Sequence, residues 1–210
     1  MEDFDEELLS PLERDALTEL VNIGMGGAAS GLRQLVNRPV LLAVPALEVV
    51  NRTIAIRFIS ERGGEHLIAV KEEFSGAFSG EALLIFPEPK SLALARAVLG
   101  DDEGSAAETD LDEALIEIGN IILGRCVGTI ANQLDLPVTL SLPHIARGTG
   151  HSFFIAELNN DDLVLILHID FKVVELNTRG YIALLMPLPS LGRLKEALAK
   201  FIDWAMNNTQ

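Results

Sequence analysis

The chain has 210 residues, of which 49% are hydrophobic and only 5% aromatic, so it can build a substantial aliphatic core as one larger domain or two small ones. Its 16 basic and 31 acidic residues give a net charge of −15. Such a surface repels the phosphates of nucleic acids and of anionic lipids, so we expect neither nucleic acid nor a membrane as a partner.

The N-terminal residues and the cysteine content predict a cytoplasmic protein. Residues 1–7 are acidic and lack the basic region with which a secretory signal begins. The apolar runs are short, and one such as Leu163–Leu167 fits a buried strand rather than a membrane span. The single cysteine, Cys126, excludes an intramolecular disulfide and fits a reducing compartment, where we expect it to be a small buried hydrophobic residue.

The first predicted element is a long helix that begins after Ser10 and ends near Pro39. Ser10, Pro11 and Glu13 form a capping box with proline in the first turn, and apolar residues then recur at roughly helical spacing. Four strand candidates and a short helix follow, in the order Val40–Val50, Thr53–Ile59, Leu67–Glu73, Ala82–Phe86 and Ser91–Leu99.

The second half of the chain predicts the same sequence of elements. Thr109 is the expected N-cap of a second long helix that runs to about Leu134, with Asp110, Asp112 and Glu113 favourable in its first turn. The strand candidates and the final helix are Val138–Leu142, Ser152–Glu157, Leu163–Val173, Tyr181–Met186 and Leu191–Met206. Short turns between most of these strands favour antiparallel pairing, and therefore an α+β fold.

The two halves also resemble each other residue by residue. Asp15–Pro45 aligns without a gap with Glu113–Pro143 at an offset of 98 residues, and the prolines Pro87 and Pro89 align with Pro187 and Pro189 at an offset of 100. We therefore predict one domain over residues 1–210, made of two repeats at about 10–100 and 108–206. The expected fold is an internally duplicated pseudo-twofold unit with mostly antiparallel sheets, two long helices and two shorter helices.

A polar triplet occurs on each long helix. Its members are Asp15, Glu19 and Asn22 in the first half and Glu113, Glu117 and Asn120 in the second. Spacings of four and three residues place each triplet on one stripe of its helix. A single polar stripe is usually a solvated face, but the same Glu and Asn recur in both halves. An asparagine amide is neither a base nor a nucleophile near neutral pH, although it can hold a water molecule in a fixed direction.

This pattern resembles the CheC, CheX and FliY phosphatases of bacterial chemotaxis. Their signature is Asp or Ser, three residues, Glu, two residues, Asn, twenty-two residues and Pro, and the first triplet with Pro45 matches every position. The second triplet with Pro143 matches except at Glu113, which replaces Asp or Ser. Two copies of the motif indicate the two-site CheC pattern, since CheX-type relatives keep one site.

The resemblance implies a phosphatase that acts on the aspartyl phosphate of a CheY-like response regulator. Asn22 and Asn120 would orient the attacking water, and Glu19 and Glu117 would contact the active-site lysine of the regulator. The remaining motif residues would contact the regulator as well; they are Asp15, Glu113, Pro45 and Pro143. The protein would need no metal or cofactor of its own, because the regulator would supply the Mg²⁺.

Two other functions are compatible with the same resemblance. The protein could be a non-catalytic adaptor that binds a response regulator or a CheD-type receptor deamidase, or a part of the flagellar switch as in FliY. A formal dinucleotide-binding pattern at Gly24–Ala29 lies inside a predicted helix, where its glycines are better explained by close contact between helices. We expect the same close contact at Gly31, Gly119, Gly124 and Gly128. The apolar residues of the final helix, including Trp204, are expected to be core, with contact to a partner as the alternative for Trp204.

Overall fold

The protein is described by a computed structural model that covers residues 8–36, 39–101, 103–154, 163–173 and 176–208. Six helices lie in these ranges: α1 Pro11–Val36, α2 Arg52–Gly63, α3 Glu88–Leu99, α4 Glu108–Gln133, α5 Gly150–Phe154 and α6 Leu188–Asn208. Seven strands accompany them: β1 Val40–Asn51, β2 Leu67–Gly76, β3 Gly80–Pro87, β4 Val138–Leu140, β5 His144–Gly148, β6 Leu163–Val173 and β7 Leu176–Met186.

All seven strands belong to one sheet, in which every pairing is antiparallel. The order is β1-β6-β7-β3-β2-β4, and β5 also pairs with β2. The prediction of an α+β fold with antiparallel pairing is confirmed. The predicted helix count of two long and two shorter helices is wrong, because the described part of the chain contains six.

The sheet lies between two layers of helices. The larger core cluster joins α1, α3, α4 and α6 to one face, and the smaller cluster joins α2 and α5 to the other. Successive residues of β2 alternate between these layers: Val70 and Phe74 face the long helices, whereas Leu67 and Ala69 face α2 and α5. A sheet buried on both faces explains why its strands read as continuous apolar runs.

Two predicted strands are helices in the structure. Thr53–Ile59 lies in α2, where the side chain of Asn51 accepts a hydrogen bond of 2.9 Å from the Ile54 backbone N–H and so caps the helix. Ala55 and Ile59, one helical turn apart, form its buried face. Of Ser152–Glu157, residues 152–154 belong to α5, and residues 155–157 lie outside the described part of the chain.

The predicted helix starts have opposite outcomes. The Ser10 capping box is confirmed, because the Ser10 N–H donates to a carboxylate oxygen of Glu13 at 2.7 Å and the Glu13 N–H donates to the Ser10 hydroxyl at 3.3 Å. The Thr109 N-cap is wrong, because α4 already begins at Glu108 and Ala107 occupies the cap position.

The order of elements and strand pairings is the same in the two halves. Each half runs helix, edge strand, helix, two long strands and helix, with β4 and β5 together in the place of β1. The edge strand of each half pairs with the first long strand of the other half, β1 with β6 and β4/β5 with β2. A duplicated sequence would produce this arrangement; the duplication and the domain limits stay predictions.

Helices α1 and α4 pack against each other in opposite directions. Gly24 lies against Arg125 and Thr129, and Gly31 lies against Ile121. A Cβ on Gly24 would be 2.8 Å from the Arg125 carbonyl oxygen, so this crossing requires glycine. The predicted close contact between helices therefore holds at Gly24 and Gly31, and also at Gly27, whose Cβ would lie 3.5 Å from the Arg125 side chain.

The remaining helix glycines differ in their surroundings. An added Cβ would meet nothing within 4 Å at Gly26, Gly124 or Gly128, so the prediction of close helix contact is wrong there. At Gly119 the contact is with a strand rather than a helix, because the Cβ would lie 2.4 Å from a methyl carbon of Val70 in β2.

Helix α4 is long and apolar enough to cross a membrane when judged by length and composition alone. In the fold it lies against α1 and the sheet, and 56% of its most apolar window is buried inside the protein. These are the properties of the core helix of a globular domain.

Candidate functional site

The first candidate site joins α1 to the edge strand β1 through Asn22. The Asn22 Oδ1 accepts a hydrogen bond of 3.1 Å from the Val44 backbone N–H, and the Asn22 Nδ2 donates to the Val44 carbonyl oxygen at 3.4 Å. This pair of bonds fixes the plane of the amide while the side chain stays half-exposed. The carboxamide still has one N–H and one lone pair for another partner.

This contact gives the spacing of the motif a structural reason. Val44 directly precedes Pro45, and a residue before proline is held in the extended conformation. Here β1 also carries a bulge, since Val44 and Pro45 together lie opposite the single residue Ile169 of β6. The asparagine therefore contacts the strand at the bulge that the proline marks. The backbone of Pro45 lies in β1, whereas its side chain lies outside the described residues.

The two carboxylates of the first triplet lie on the outer surface of α1. Asp15 and Glu19 are both exposed, as the stripe predicted from their spacing requires. The structure brings Asn22 to the Pro45 bulge and leaves Asp15 and Glu19 free to meet an approaching molecule from solvent.

The second candidate site has the corresponding triplet and proline, but its asparagine is exposed and, in the described part of the chain, has no hydrogen bond to the edge strand. Glu113, Glu117 and Asn120 are all exposed on α4, and Pro143 is half-buried. Among the described residues no hydrogen-bond partner accompanies the Asn120 side chain, in contrast to Asn22. The second amide can therefore turn toward a ligand without breaking a bond inside the protein.

A bulge also accompanies Pro143. Ser141 lies opposite Glu73, because the Ser141 N–H donates to the Glu73 carbonyl oxygen at 2.8 Å, and His144 pairs with Lys71. Leu142 and Pro143 together are therefore opposite the single residue Glu72. Each site thus consists of a long helix and a proline bulge at one edge of the sheet.

Two residues near the second site were not predicted from the sequence. Leu142 is 89% exposed directly before Pro143, which gives this site an apolar contact point. Glu72 is buried opposite the bulge, and burial raises the pKa of its carboxyl to about 7. Its position could have been recognised, because it is the one charged residue on a strand face that otherwise carries Ile68, Val70 and Phe74.

The orientation of α4 is supported by an ionic contact to β5. The Arg147 guanidinium donates to both carboxylate oxygens of Asp112, one at 3.1 Å, and a carboxylate oxygen of Glu108 lies 3.5 Å away. Asp112 precedes Glu113 in the first turns of α4, so this bidentate contact fixes the N-terminal part of the helix that carries the second triplet.

The other candidate residues have structural explanations. Cys126 is completely buried in the larger cluster, and burial raises the pKa of its thiol to about 12, so it is an inert core residue as predicted.

Trp204 is 63% exposed, so the prediction that it is core is wrong. Its side chain lines a groove of about 520 Å³ between α6 and the end of α4. In the described ranges no group of three or more His, Cys, Asp or Glu side chains is placed to hold a metal ion.

Comparison with known proteins adds independent evidence. Residues 68–166 match the family model described as chemotaxis phosphatase CheX, and residues 12–49 match the CheC-like family. The flagellar motor switch phosphatase FliY of Bacillus subtilis is 26% identical over 179 residues, which cover 80% of this chain and 44% of that protein. The CheY-P phosphatase CheC of the same organism is 26% identical over 139 residues, covering 64% of this chain and 66% of that protein.

Solved structures show the same fold. Thermotoga maritima FliY superposes with a TM-score of 0.74 at 19% identity, over 92% of this chain and 99% of that one. The FliM middle domain from H. pylori gives 0.66 at 8% identity, over 90% and 99%. A chemotaxis protein CheX from Desulfovibrio desulfuricans gives 0.52 at 18% identity, over 79% and 99%.

The fold thus defines an α+β protein of the structural class that contains FliY, CheX and the FliM middle domain. The family models and the two relatives narrow this class. Both family models and both relatives are of the CheC, CheX and FliY kind, so the resemblance that the spaced motif predicted is confirmed. It spans 44% and 66% of the two curated relatives, so those proteins contain further sequence that has no counterpart in the match.

Proposed function

We propose that the protein is a cytoplasmic phosphatase that hydrolyses the aspartyl phosphate of a CheY-like response regulator. The observation that carries this proposal is the pairing, in both halves, of a helix-borne Glu and Asn with a proline bulge at the sheet edge. The names of the two curated relatives, a flagellar motor switch phosphatase and a CheY-P phosphatase, support the same activity.

The proposed role of the asparagines is to position water. Hydrolysis of a phosphoryl group depends chiefly on alignment and charge stabilisation, with little covalent work by the protein. Asn120, exposed on α4, would enter the active site of the regulator and hold a water molecule in line with the phosphorus atom. Asn22 would do the same from α1 with a carboxamide whose plane the Val44 backbone already fixes. An aspartyl phosphate is labile, so an acceleration of about 100-fold, or about 2.7 kcal/mol, is sufficient.

The proposed role of the glutamates is to bind the regulator. Glu19 and Glu117 are exposed one helical turn before the asparagines, where a carboxylate can make a charge-assisted hydrogen bond to a lysine ammonium of the partner. Asp15 and Glu113 would extend this contact by a further turn. The Mg²⁺ that balances the charge of the phosphate would come from the regulator.

The test is phosphate release from a phosphorylated receiver domain with Mg²⁺. We expect Asn22→Ala and Asn120→Ala each to lose part of the acceleration, and the double variant to bind the regulator while dephosphorylation returns to the intrinsic rate. Asn132→Ala is the matched control, because Asn132 is an exposed asparagine on α4 outside the triplet. Full activity in the double variant would disprove the mechanism.

The same measurement separates the adaptor function. An adaptor would bind the regulator and leave its decay rate unchanged, with or without the substitutions. A CheD-type deamidase is a further proposed partner; adding one to the assay and to a co-precipitation experiment shows whether it binds and whether it alters the rate.

A further inference from the structure

Glu72 is almost completely buried, and one of its carboxylate oxygens has no hydrogen-bond partner among the described residues. It is 1% exposed in the middle of β2, and the oxygen concerned is Oε1. A buried polar atom without a partner is costly, so such an atom calls for a functional or structural explanation. Its side chain is on the strand face that Val70 and Phe74 direct toward α1 and α4.

The register places this carboxylate at the second site alone. Glu72 lies opposite the Leu142–Pro143 bulge, and the residue that lies opposite the Val44–Pro45 bulge in the first site is Ile169. Both residues are 1% exposed, so the two bulges rest on buried neighbours of similar size and different polarity. The site with the hydrocarbon neighbour is the one whose asparagine is bonded to its bulge.

Helix α4 lies directly on the strand at this point. A Cβ on Gly119 would be only 2.4 Å from a methyl carbon of Val70, and Val70 is two residues from Glu72 on the same strand face. Asn120 follows Gly119 immediately. The contact between Gly119 and Val70 leaves no room even for a Cβ, so the backbone that carries Asn120 lies directly on the strand face to which Glu72 belongs.

The charged groups nearby do not neutralise Glu72. The two charged neighbours of Glu72 on β2 are Lys71 and Glu73. The Lys71 side chain points to the opposite face of the sheet, where its ammonium donates to Glu81 at 3.1 Å, and the Glu73 side chain is exposed to solvent. His144 on β5 pairs with Lys71 in the ladder, and Glu117 is on the outer surface of α4. Desolvation is the single cause of the raised pKa of about 7, so the carboxyl changes charge near neutral pH without an ionic partner.

We propose that Glu72 is a positioning residue of the second site, whose buried carboxyl sets how the Leu142–Pro143 bulge and α4 present Asn120 to the regulator. The proposal rests on the proposed phosphatase function. When the carboxyl is neutral, the strand, bulge and helix pack closely; when it ionises, it requires donors or water, and the packing around Gly119 loosens. The second site therefore weakens as the pH rises through neutrality, whereas the first site, with Ile169, does not.

Single-site variants test this directly. Asn22→Ala leaves only the second site and Asn120→Ala only the first, and the ratio of their activities cancels the pH dependence of the regulator itself. We expect this ratio to fall by about threefold or more between pH 6 and pH 8. Glu72→Gln, introduced into both single-site variants, should make this ratio independent of pH. Glu72→Ile, which gives the second site the residue type that Ile169 provides at the first, should do the same.

Amide chemical shifts supply a readout that needs no phosphatase activity. In the unsubstituted protein we expect the amides of Leu142 and Asn120 to titrate together with a midpoint near 7, and in Glu72→Gln this titration should be absent. The amides of Val44 and Ala46, at the first bulge, are the internal control. Flat shifts at Leu142 and Asn120 would overturn the proposal even if the protein is a phosphatase. A shared titration in a protein without activity would refute the proposed function and keep Glu72 as the group that sets the conformation of the bulge.

Discussion

At the scale of single residues, the two asparagines differ in what holds them. Asn22 bridges the backbone N–H and carbonyl of Val44, while Asn120 stands exposed on α4. These two hydrogen bonds join Asn22 to the backbone of the edge strand β1 at the buried residue Val44, so the side chain contributes to the stability of the fold as well as to the proposed chemistry. The second asparagine has no such structural role among the described contacts.

This difference predicts unequal effects on stability. Asn22→Ala should lower the free energy of unfolding by about 1 to 2 kcal/mol, because it removes two hydrogen bonds and leaves the Val44 N–H without its partner. Asn120→Ala should change it by less than about 0.5 kcal/mol, as expected for an exposed surface position. Urea denaturation of both variants measures the difference, and equal losses would contradict the assigned role of Val44.

Glu72 predicts a pH dependence of stability. Its pKa is 4.5 in the unfolded chain and about 7 in the fold, so the folded state binds the proton more tightly. The stability contributed by the protonated carboxyl is complete below pH 4.5 and is lost as the pH rises to about 7, by up to about 3 kcal/mol. Glu72→Gln lacks this loss, so the variant should gain stability relative to the unsubstituted protein between pH 5 and pH 8.

Urea denaturation at the two pH values measures that gain. The exposed neighbour Glu73, substituted as Glu73→Gln, is the control and should show no such change. A constant difference between the Glu72→Gln variant and the unsubstituted protein would mean that the buried carboxyl finds a partner when it ionises.

At the scale of helices and strands, the packing of α1 against α4 requires glycine at Gly24 but not at Gly26, two residues further along the same helix. Alanine is favoured over glycine inside a helix by about 1 kcal/mol, so Gly26→Ala, with nothing within 4 Å of its Cβ, should stabilise the protein by up to that amount. Gly24→Ala places a Cβ 2.8 Å from the Arg125 carbonyl oxygen, and the clash should cost about 1 to 3 kcal/mol.

Thermal or urea unfolding of these two alanine variants is a matched comparison on one helix. Equal stabilisation in both would show that the helices can separate at Gly24 without loss. Destabilisation in both would show that Gly26 is required for a reason other than packing.

The long helices and most strands could be predicted from the sequence, because caps and apolar periodicity are local signals. Helix α2 could not. Ile54, Ile56 and Phe58 alternate like a strand, yet Ala55 and Ile59 are the buried residues, and this preference is decided by the sheet face on which the helix lies.

The candidate site shows the same limit. The triplets and prolines were recognisable from their spacing, whereas the bond from Asn22 to Val44 and the burial of Glu72 depend on strand register. Register is set by long-range pairing, for which the local sequence carries no direct signal.

At the scale of the whole molecule, the two sites occupy the opposite edges of one sheet. Strands β3 and β7 pair with each other at its centre, and both have a further strand on the other side. The edge at the second site consists of β4 and β5, with three and five residues, whereas the edge at the first site is the 12-residue β1. Surfaces that must adapt to a partner are drawn from the less stable parts of a fold, and these edges meet that requirement.

Hydrogen exchange should reveal this gradient. Amides of β3 and β7, such as Leu84 and Ala183, have pairing strands on both sides and lie in the buried centre, so they should exchange only through global unfolding. Amides of β5, such as Ile145, should exchange through local opening that breaks the short β2–β5 ladder, with protection lower by several kcal/mol and little dependence on urea. The longer β1–β6 ladder predicts intermediate protection for β1. If β5 exchanges as slowly as β3, the second site is held as rigidly as the core, and opening of the edge has no part in the proposed contact with a regulator.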